Sequence, residues 1–149
     1  MTRFAKLLVA IDFSPHSARA LDCAIDVAKA FGGQIHLIHA YHLPPLVGMP
    51  DELVIPPDFW TGVRDVAARK LAKAAEKVRA AGVPVETHLV EFPASDAIVE
   101  TARRLGADLI VMGTRGLTGL KHALLGSVAE RTLRLAPCAV LTVKDETAS

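Results

Sequence analysis

This chain of 149 residues has few cysteines, almost no excess of charge of either sign and no long apolar run. The formal net charge is +1, which gives no electrostatic case for binding nucleic acid or an anionic membrane. The apolar run at 7–11 is too short for a signal peptide, and no later segment reaches the ~18 uninterrupted apolar residues that suit a membrane span. The two cysteines, Cys23 and Cys138, lack C-x-x-C spacing and are typical of small core residues in a reducing compartment. We therefore expect a cytoplasmic protein.

Apolar side chains are abundant: 51% of the residues are hydrophobic and 22% are charged, which suits a well-buried globular core. The length predicts a single domain over 1–149. Strand-like and helix-like segments alternate along this domain. Strands are predicted at 6–11, 35–40, 85–90, 107–112 and 139–143, and helices at 15–31, 61–81, 95–105 and 127–135. Ser95 is predicted to cap the third helix. Five prolines between 41 and 60 indicate a loop insertion.

The alternation predicts an α/β fold, a single doubly wound domain with a five-stranded parallel sheet and helices on both faces. In such sheets ligands bind beyond the carboxyl ends of the strands, where the winding direction reverses. If the first and fourth strands are neighbours, the strand order is 3-2-1-4-5. Asp12, which follows strand one, then lies beside the glycines that follow strand four.

A glycine-rich segment follows the fourth strand. Residues 113–116 are Gly-Thr-Arg-Gly, and nine residues later Gly126-Ser127 opens a helix. Glycine lets backbone N–H groups approach an anion, and a helix start adds unpaired N–H groups and a positive dipole end. Ser127 can donate its hydroxyl or act as the N-cap. The segment therefore predicts a phosphate cradle, and the alternative is that these glycines serve turns and tight strand–helix packing.

The loop differs from the common nucleotide motifs, since no lysine follows Gly126 as in a Walker A loop and there is no G-x-G-x-x-G. Phosphate charge must then be met by backbone donors, by Arg115, Lys121 or His122, or by a divalent cation. Arg115 is equally compatible with a phosphate contact and with a solvated loop position. We expect Mg²⁺ or Mn²⁺ to accompany a phosphorylated ligand here, because the basic groups are too few to balance its charge.

Asp12 and Ser14 each have two interpretations. Asp12 can contact a ribose or a metal ion at the switch point, or it can bond backbone amides at the start of its own loop. Ser14 precedes Pro15, a pair typical of a helix N-cap and first helical residue, although a ligand contact is the alternative.

Three histidines, His36, His39 and His42, resemble a metal-binding string. Residues three apart on a strand face opposite sides, so His36 and His39 cannot share an ion there. His16 and His88 have no obvious partner in the sequence and are predicted at the surface.

Residues at 10–14, 38–40, 111–117, 124–130 and 139–143 together resemble the universal stress protein family, in its ATP-binding subclass. The resemblance covers essentially the whole chain. The glycine segment reproduces the family's G-x2-G-x9-G-[S/T] signature in full, and members that do not bind ATP lose these glycines. One departure is Glu91-Phe92-Pro93, where the family often has glycine before x-Pro.

The resemblance implies a site for ATP. Asp12 would hold the ribose, and the backbone of Ala40 would meet the adenine. The residues implied around the triphosphate, with two that line the site, are Gly113, Gly116, Gly126, Ser127 and Val128, with Met112 and Arg115.

Three functions are compatible with these features. The first is a nucleotide-dependent stress or signalling module that acts through protein partners. The second is a slow ATP hydrolase of the related adenine-nucleotide superfamily, and the third is a dimeric scaffold with structural nucleotide. The apolar final strand at 139–143 is predicted at the sheet edge and, as the resemblance also implies, predicts a homodimer formed by antiparallel pairing of two such strands.

Overall fold

The computed structural model describes residues 3–42, 50, 55–115 and 125–144. Gly116, Lys121 and His122 lie outside the described residues, as does most of the insertion at 41–60. Strands and helices alternate along the described chain. The elements are β1 Lys6–Ala10, α1 Pro15–Phe31, β2 Gln34–Tyr41, α2 Pro57–Ala80, β3 Val85–Glu91, α3 Ala94–Leu105, β4 Leu109–Gly113, α4 Ser127–Leu135 and β5 Ala139–Val143.

The five strands form one parallel sheet with the order β3-β2-β1-β4-β5, which confirms the predicted fold class and strand order. Alternate side chains of each strand enter two separate apolar clusters. Leu7 and Val9 belong to the first cluster, which α1 and α2 cover. Leu8 belongs to the second cluster, which α3 and α4 cover. The helices therefore lie on both faces of a sheet whose central strand is buried on both sides.

Two helix starts differ from the prediction. α2 begins at Pro57 with Pro56 as N-cap, so the last prolines of the insertion begin the helix rather than extend the loop. Proline suits this position because the first helical N–H has no intrahelical acceptor. α3 begins at Ala94 with Pro93 as N-cap, so the prediction that Ser95 caps this helix is wrong, and Ser95 is buried in the first turn.

Helix ends agree with the prediction where glycine supplies them. Gly32 ends α1 and Gly106 ends α3, and both adopt left-handed backbone angles with φ of 67° and 65°. Glycine is favoured there because it lacks the Cβ atom that makes this region costly for other residues.

Candidate functional site

The carboxyl ends of β1 and β4 lie side by side at the centre of the sheet. The register pairs Val9 with Val111, and the two strands end at Ala10 and Gly113. The crossover from β1 runs to one side of the sheet and the crossover from β4 to the other, which is the arrangement that opens a ligand-binding crevice in doubly wound sheets. The structure thus brings the Asp12 loop and the glycine loop together, as the sequence predicts.

Asp12 holds the bend between β1 and α1. Its Oδ1 accepts a hydrogen bond of 2.9 Å from the Ser14 backbone N–H and another from the Ser14 hydroxyl. The Ser14 hydroxyl oxygen also accepts from the N–H of Ser17 at 3.2 Å, which confirms Ser14 as the N-cap of α1. The half-buried carboxylate therefore performs the structural task that the sequence left open, and its second oxygen, Oδ2, lies outside these bonds.

Phe13 has a strained backbone, with a φ of 64° that non-glycine residues seldom adopt. Its ring lies 4.5 Å from that of His39 between centroids, and Lys70 Nζ lies 5.4 Å from its centroid. His39 Nδ1 is 2.7 Å from the carbonyl oxygen of Ile11, so Nδ1–H donates to that carbonyl. These contacts fix the loop that carries Asp12. These contacts could not be predicted from the sequence, because the partners come from three different elements.

Ala40 lies near the end of β2, beyond the last residue pair of the β1–β2 ladder, so its backbone N–H and C=O have no partner residue in β1. Ile38 accepts from the N–H of Ile11, and Tyr41 accepts from Phe92 on the β3 side. Because strand residues alternate in direction, the N–H and C=O of Ala40 point towards β1. The last β1–β2 pair is Ala10–Ile38, so β1 has ended where these groups emerge. They face the crevice and suit an edge of a planar, hydrogen-bonding ligand.

Gly113 and Gly126 both lie close to other parts of the chain, and the approach is tighter at Gly113. A Cβ atom on Gly113 would lie 2.7 Å from Cβ of His16 in the first turn of α1. A Cβ on Gly126 would lie 3.2 Å from the carbonyl oxygen of Thr114, which accepts the N–H of Gly126 at 2.6 Å. The packing role that the sequence left open is therefore real for Gly113, whereas a Cβ at Gly126 would need only a small shift of Thr114. Their role towards a phosphate stays a prediction.

The start of α4 points to an anion site. Its N-cap is Gly126, so Ser127 is the first helical residue, and of the two roles predicted for Ser127 that of N-cap is wrong. Within the described part of the chain, no side chain caps this end. The N–H groups of the first turn lack intrahelical acceptors, and Ser127 and Val128 are exposed beside them. These donors and the Ser127 hydroxyl can receive an oxyanion.

Met112 and Arg115 flank the same loop in different ways. Met112 is only 4% exposed and packs in the second cluster, so it supports the loop from below. Arg115 is half-buried and follows Thr114, whose N–H donates to Val143 at the end of β5. Arg115 is the cationic side chain that the described part of the glycine loop contributes.

His16 is a site residue that sequence reasoning missed. It is half-buried against Gly113, and its Nδ1 is buried without a hydrogen-bond partner among the residues that the structure describes. The prediction of a surface position for His16 is therefore wrong. The available signal was its place two residues after the Ser14 cap, at the carboxyl end of β1.

The other histidines are arranged as follows. His36 and His39 do not share a partner, which confirms that they face opposite sides, and His42 is exposed. His88, predicted at the surface without a partner, instead lies with its Nε2 3.0 Å from Nδ1 of His36. Burial is the largest cause that lowers the pKa of His36 and of His88, so both imidazoles are neutral at pH 7.

Among the described residues, no helix is long and apolar enough to cross a membrane. Cys23 and Cys138 are both free, and burial is the main cause that raises the pKa of the Cys138 thiol. Both cysteines are half-buried, and Cys138 packs against the second cluster, in keeping with a core role.

Curated relatives and solved structures resemble the chain over nearly its whole length. Universal stress protein MJ0531 of Methanocaldococcus jannaschii is 37% identical over 145 residues, covering 95% of this chain and 82% of the relative. Universal stress protein YxiE of Bacillus subtilis is 34% identical, covering 95% of this chain and 99% of the relative.

Two solved structures share the fold. The hypothetical protein MJ0577 superposes with a TM-score of 0.84 at 25% identity, covering 97% of this chain and 98% of the other. A universal stress protein in complex with cAMP superposes with a TM-score of 0.71 at 29% identity, covering 98% of both chains. The universal stress protein family model matches residues 3–144. With the parallel sheet and the crevice already described, these likenesses show that the chain belongs to the universal stress protein family.

Proposed function

We propose that this chain is an ATP-binding member of the family, which acts as a nucleotide-dependent stress or signalling module through protein partners. The observation that carries the proposal is the start of α4, where the first-turn N–H groups lie at the crevice without a side-chain cap in the described chain. The related protein in complex with cAMP supports a nucleotide ligand. A cytoplasmic location stays a prediction.

The crevice offers a place for each part of ATP. The unpaired backbone groups of Ala40 would meet the adenine edge, and Oδ2 of Asp12 would accept from a ribose hydroxyl. The phosphates would lie against the α4 start at Gly126, Ser127 and Val128, with Gly113 and Gly116 bordering the loop. Arg115 would line the phosphate end, while Met112 supports the loop from the second cluster.

A divalent cation is expected with the triphosphate. The described loop contributes one cationic side chain, Arg115, and the N–H groups carry only partial charge. Mg²⁺ or Mn²⁺ would neutralise most of the remaining charge while keeping phosphate oxygens and waters as its ligands. A cation held mainly by ATP itself needs no dedicated protein site.

The decisive experiment is calorimetry of the full chain with ATP, ADP, AMP, adenosine and cAMP, each with and without Mg²⁺. We expect ATP with Mg²⁺ to bind most tightly and adenosine to bind weakly. Ser127→Ala should weaken the binding of ATP but leave the binding of adenosine unchanged. The control Ser95→Ala, in the first turn of α3, should leave ATP affinity unchanged. If adenosine binds as tightly as ATP, the α4 start does not hold phosphates.

We also propose a homodimer formed by two β5 strands. β5 is at the sheet edge, but Leu141 and Val143 pack against the first cluster and Val140 against the second. These apolar side chains therefore pack inside the protomer, and the open edge of β5 presents backbone N–H and C=O groups instead. Because Val143 accepts from Thr114 on the β4 side, Thr142 turns its N–H and C=O outward, where a second β5 could pair with them.

A further inference from the structure

Three potential metal ligands lie together on β2 and β3, away from the nucleotide crevice. The register pairs His36 with Glu86 and Ile38 with His88, so the period of two places His36, Glu86 and His88 on one face of the sheet. Nδ1 of His36 is 3.0 Å from Nε2 of His88 and 3.6 Å from a carboxylate oxygen of Glu86. One ligand atom from each residue lies within 4.8 Å of the others.

These distances fit the edges of a small coordination shell. Zinc binds imidazole nitrogen at about 2.0–2.1 Å, so two ligands at a tetrahedral angle are about 3.3 Å apart. The separations of 3.0 Å and 3.6 Å lie on either side of that value. The third separation, between His88 and Glu86, is at most 4.8 Å, so a rotation of the exposed Glu86 side chain would bring all three ligands to one ion without movement of the backbone ladder.

Burial and charge favour a borderline transition metal. His36 is only 4% exposed, whereas the Glu86 side chain is 66% exposed, so an ion can enter from the solvent side past Glu86. Besides burial, the positive charge of Lys6 lowers the pKa of His36, and that of Arg104 lowers the pKa of His88. The negative charge of Glu86 acts in the opposite direction on both. With one carboxylate against two nearby cations, the imidazole bonds must supply much of the affinity, which disfavours Mg²⁺ and Ca²⁺.

The surroundings of the His36 ring limit the affinity of such a site. Nε2 of His36 is buried without a hydrogen-bond partner among the residues that the structure describes. Strong zinc sites usually give this second ring nitrogen an acceptor that orients the ligand. A site without it should bind more weakly than a structural zinc site.

We infer that His36, Glu86 and His88 form a site for one divalent transition-metal ion such as Zn²⁺, with water completing a four-coordinate shell. The competing account is a hydrogen-bonded histidine pair that only joins two strands. The site is separate from the nucleotide site, because His36 lies four residues before Ala40 on β2, or about 13 Å along the strand.

The test titrates the metal-free full chain, without nucleotide, with Zn²⁺ in a calorimeter and with Co²⁺ in a spectrophotometer. We expect one ion per chain, the visible absorption of four-coordinate Co²⁺, and a Tm that rises with Zn²⁺ concentration. His88→Gln should lower Zn²⁺ affinity at least about tenfold, and Glu86→Gln should lower it by the same factor or by less. His36 is too buried for an informative variant, so the half-buried His88 and exposed Glu86 carry the test.

Two matched controls separate this site from chance binding. His42→Gln and Glu76→Gln change exposed residues of the same types and should leave Zn²⁺ affinity unchanged. ATP affinity should be the same in His88→Gln as in the parent, so failure of this site and failure of the proposed function are distinguishable. Absence of one-to-one Zn²⁺ binding by the parent, or equal losses in His88→Gln and His42→Gln, would overturn the inference and leave the histidine pair as a strand contact.

Discussion

The two oxygens of the Asp12 carboxylate allow its structural and ligand roles to be separated. Oδ1 accepts from the N–H and the hydroxyl of Ser14, and Oδ2 lies outside those bonds. Asp12→Asn retains one acceptor oxygen for Ser14, removes the charge and replaces the other oxygen by a donor NH₂ group. Asp12→Ala removes both functions.

The expected magnitudes differ between binding and stability. Loss of a hydrogen bond from a ribose hydroxyl to a carboxylate costs about 1.5–3 kcal/mol, or roughly ten- to 150-fold in affinity. Both variants should show this loss. Only Asp12→Ala also loses the contacts that hold Ser14, at about 1–2 kcal/mol of stability, which is about 2–8 °C in Tm for a chain of this size.

Calorimetry with ATP, ADP and adenosine, together with thermal unfolding, measures both quantities. We expect each Asp12 variant to lower the affinity for all three ligands by a similar factor, because the ribose is common to them. Ser14→Ala is the matched control, and it should lower Tm while ATP affinity stays near that of the parent. If Asp12→Asn binds ATP as tightly as the parent, the carboxylate only holds its own loop and the ribose role is refuted.

Five further outcomes are expected. Gly113→Ala should cost about 1–3 kcal/mol of stability, because its Cβ would meet His16, and an unchanged denaturation midpoint would contradict that packing. Ser127→Ala should reduce ATP affinity roughly ten- to a hundredfold by calorimetry, and Gly116→Val should abolish ATP binding while circular dichroism shows the fold intact. Phosphate release should be far below ~1 s⁻¹ with Mg²⁺, and a rate at or above that value would reveal an unrecognised catalytic group. Thr142→Pro removes an N–H group that points outward and does not bond to β4, so Tm should change little. Sedimentation should show monomers of this variant, and a monomeric parent would exclude the dimer.

The strand order and the switch point could be predicted because their causes are local. Short segments rich in apolar residues, such as those of β1 and β2, indicate strands, and right-handed crossovers leave few ways to order them. The start of α2 could not be predicted by the same reading, since Pro56 and Pro57 belong equally to a loop and to a first helical turn. Ser95 likewise has the sequence signature of a cap, but the chain enters α3 one residue earlier, at Ala94 after Pro93.

By itself, the sequence determined the fold class, the neighbouring positions of Asp12 and the glycine loop, and the cap at Ser14. These depend on periodicity, chain connectivity and interactions within a few residues. Only the tertiary structure decided which atoms meet across elements: His16 against Gly113, and His36 with His88. The physical reason is that strand register and helix docking are set by the packing of the whole core, and a shift of one residue would turn every such side chain to the opposite face.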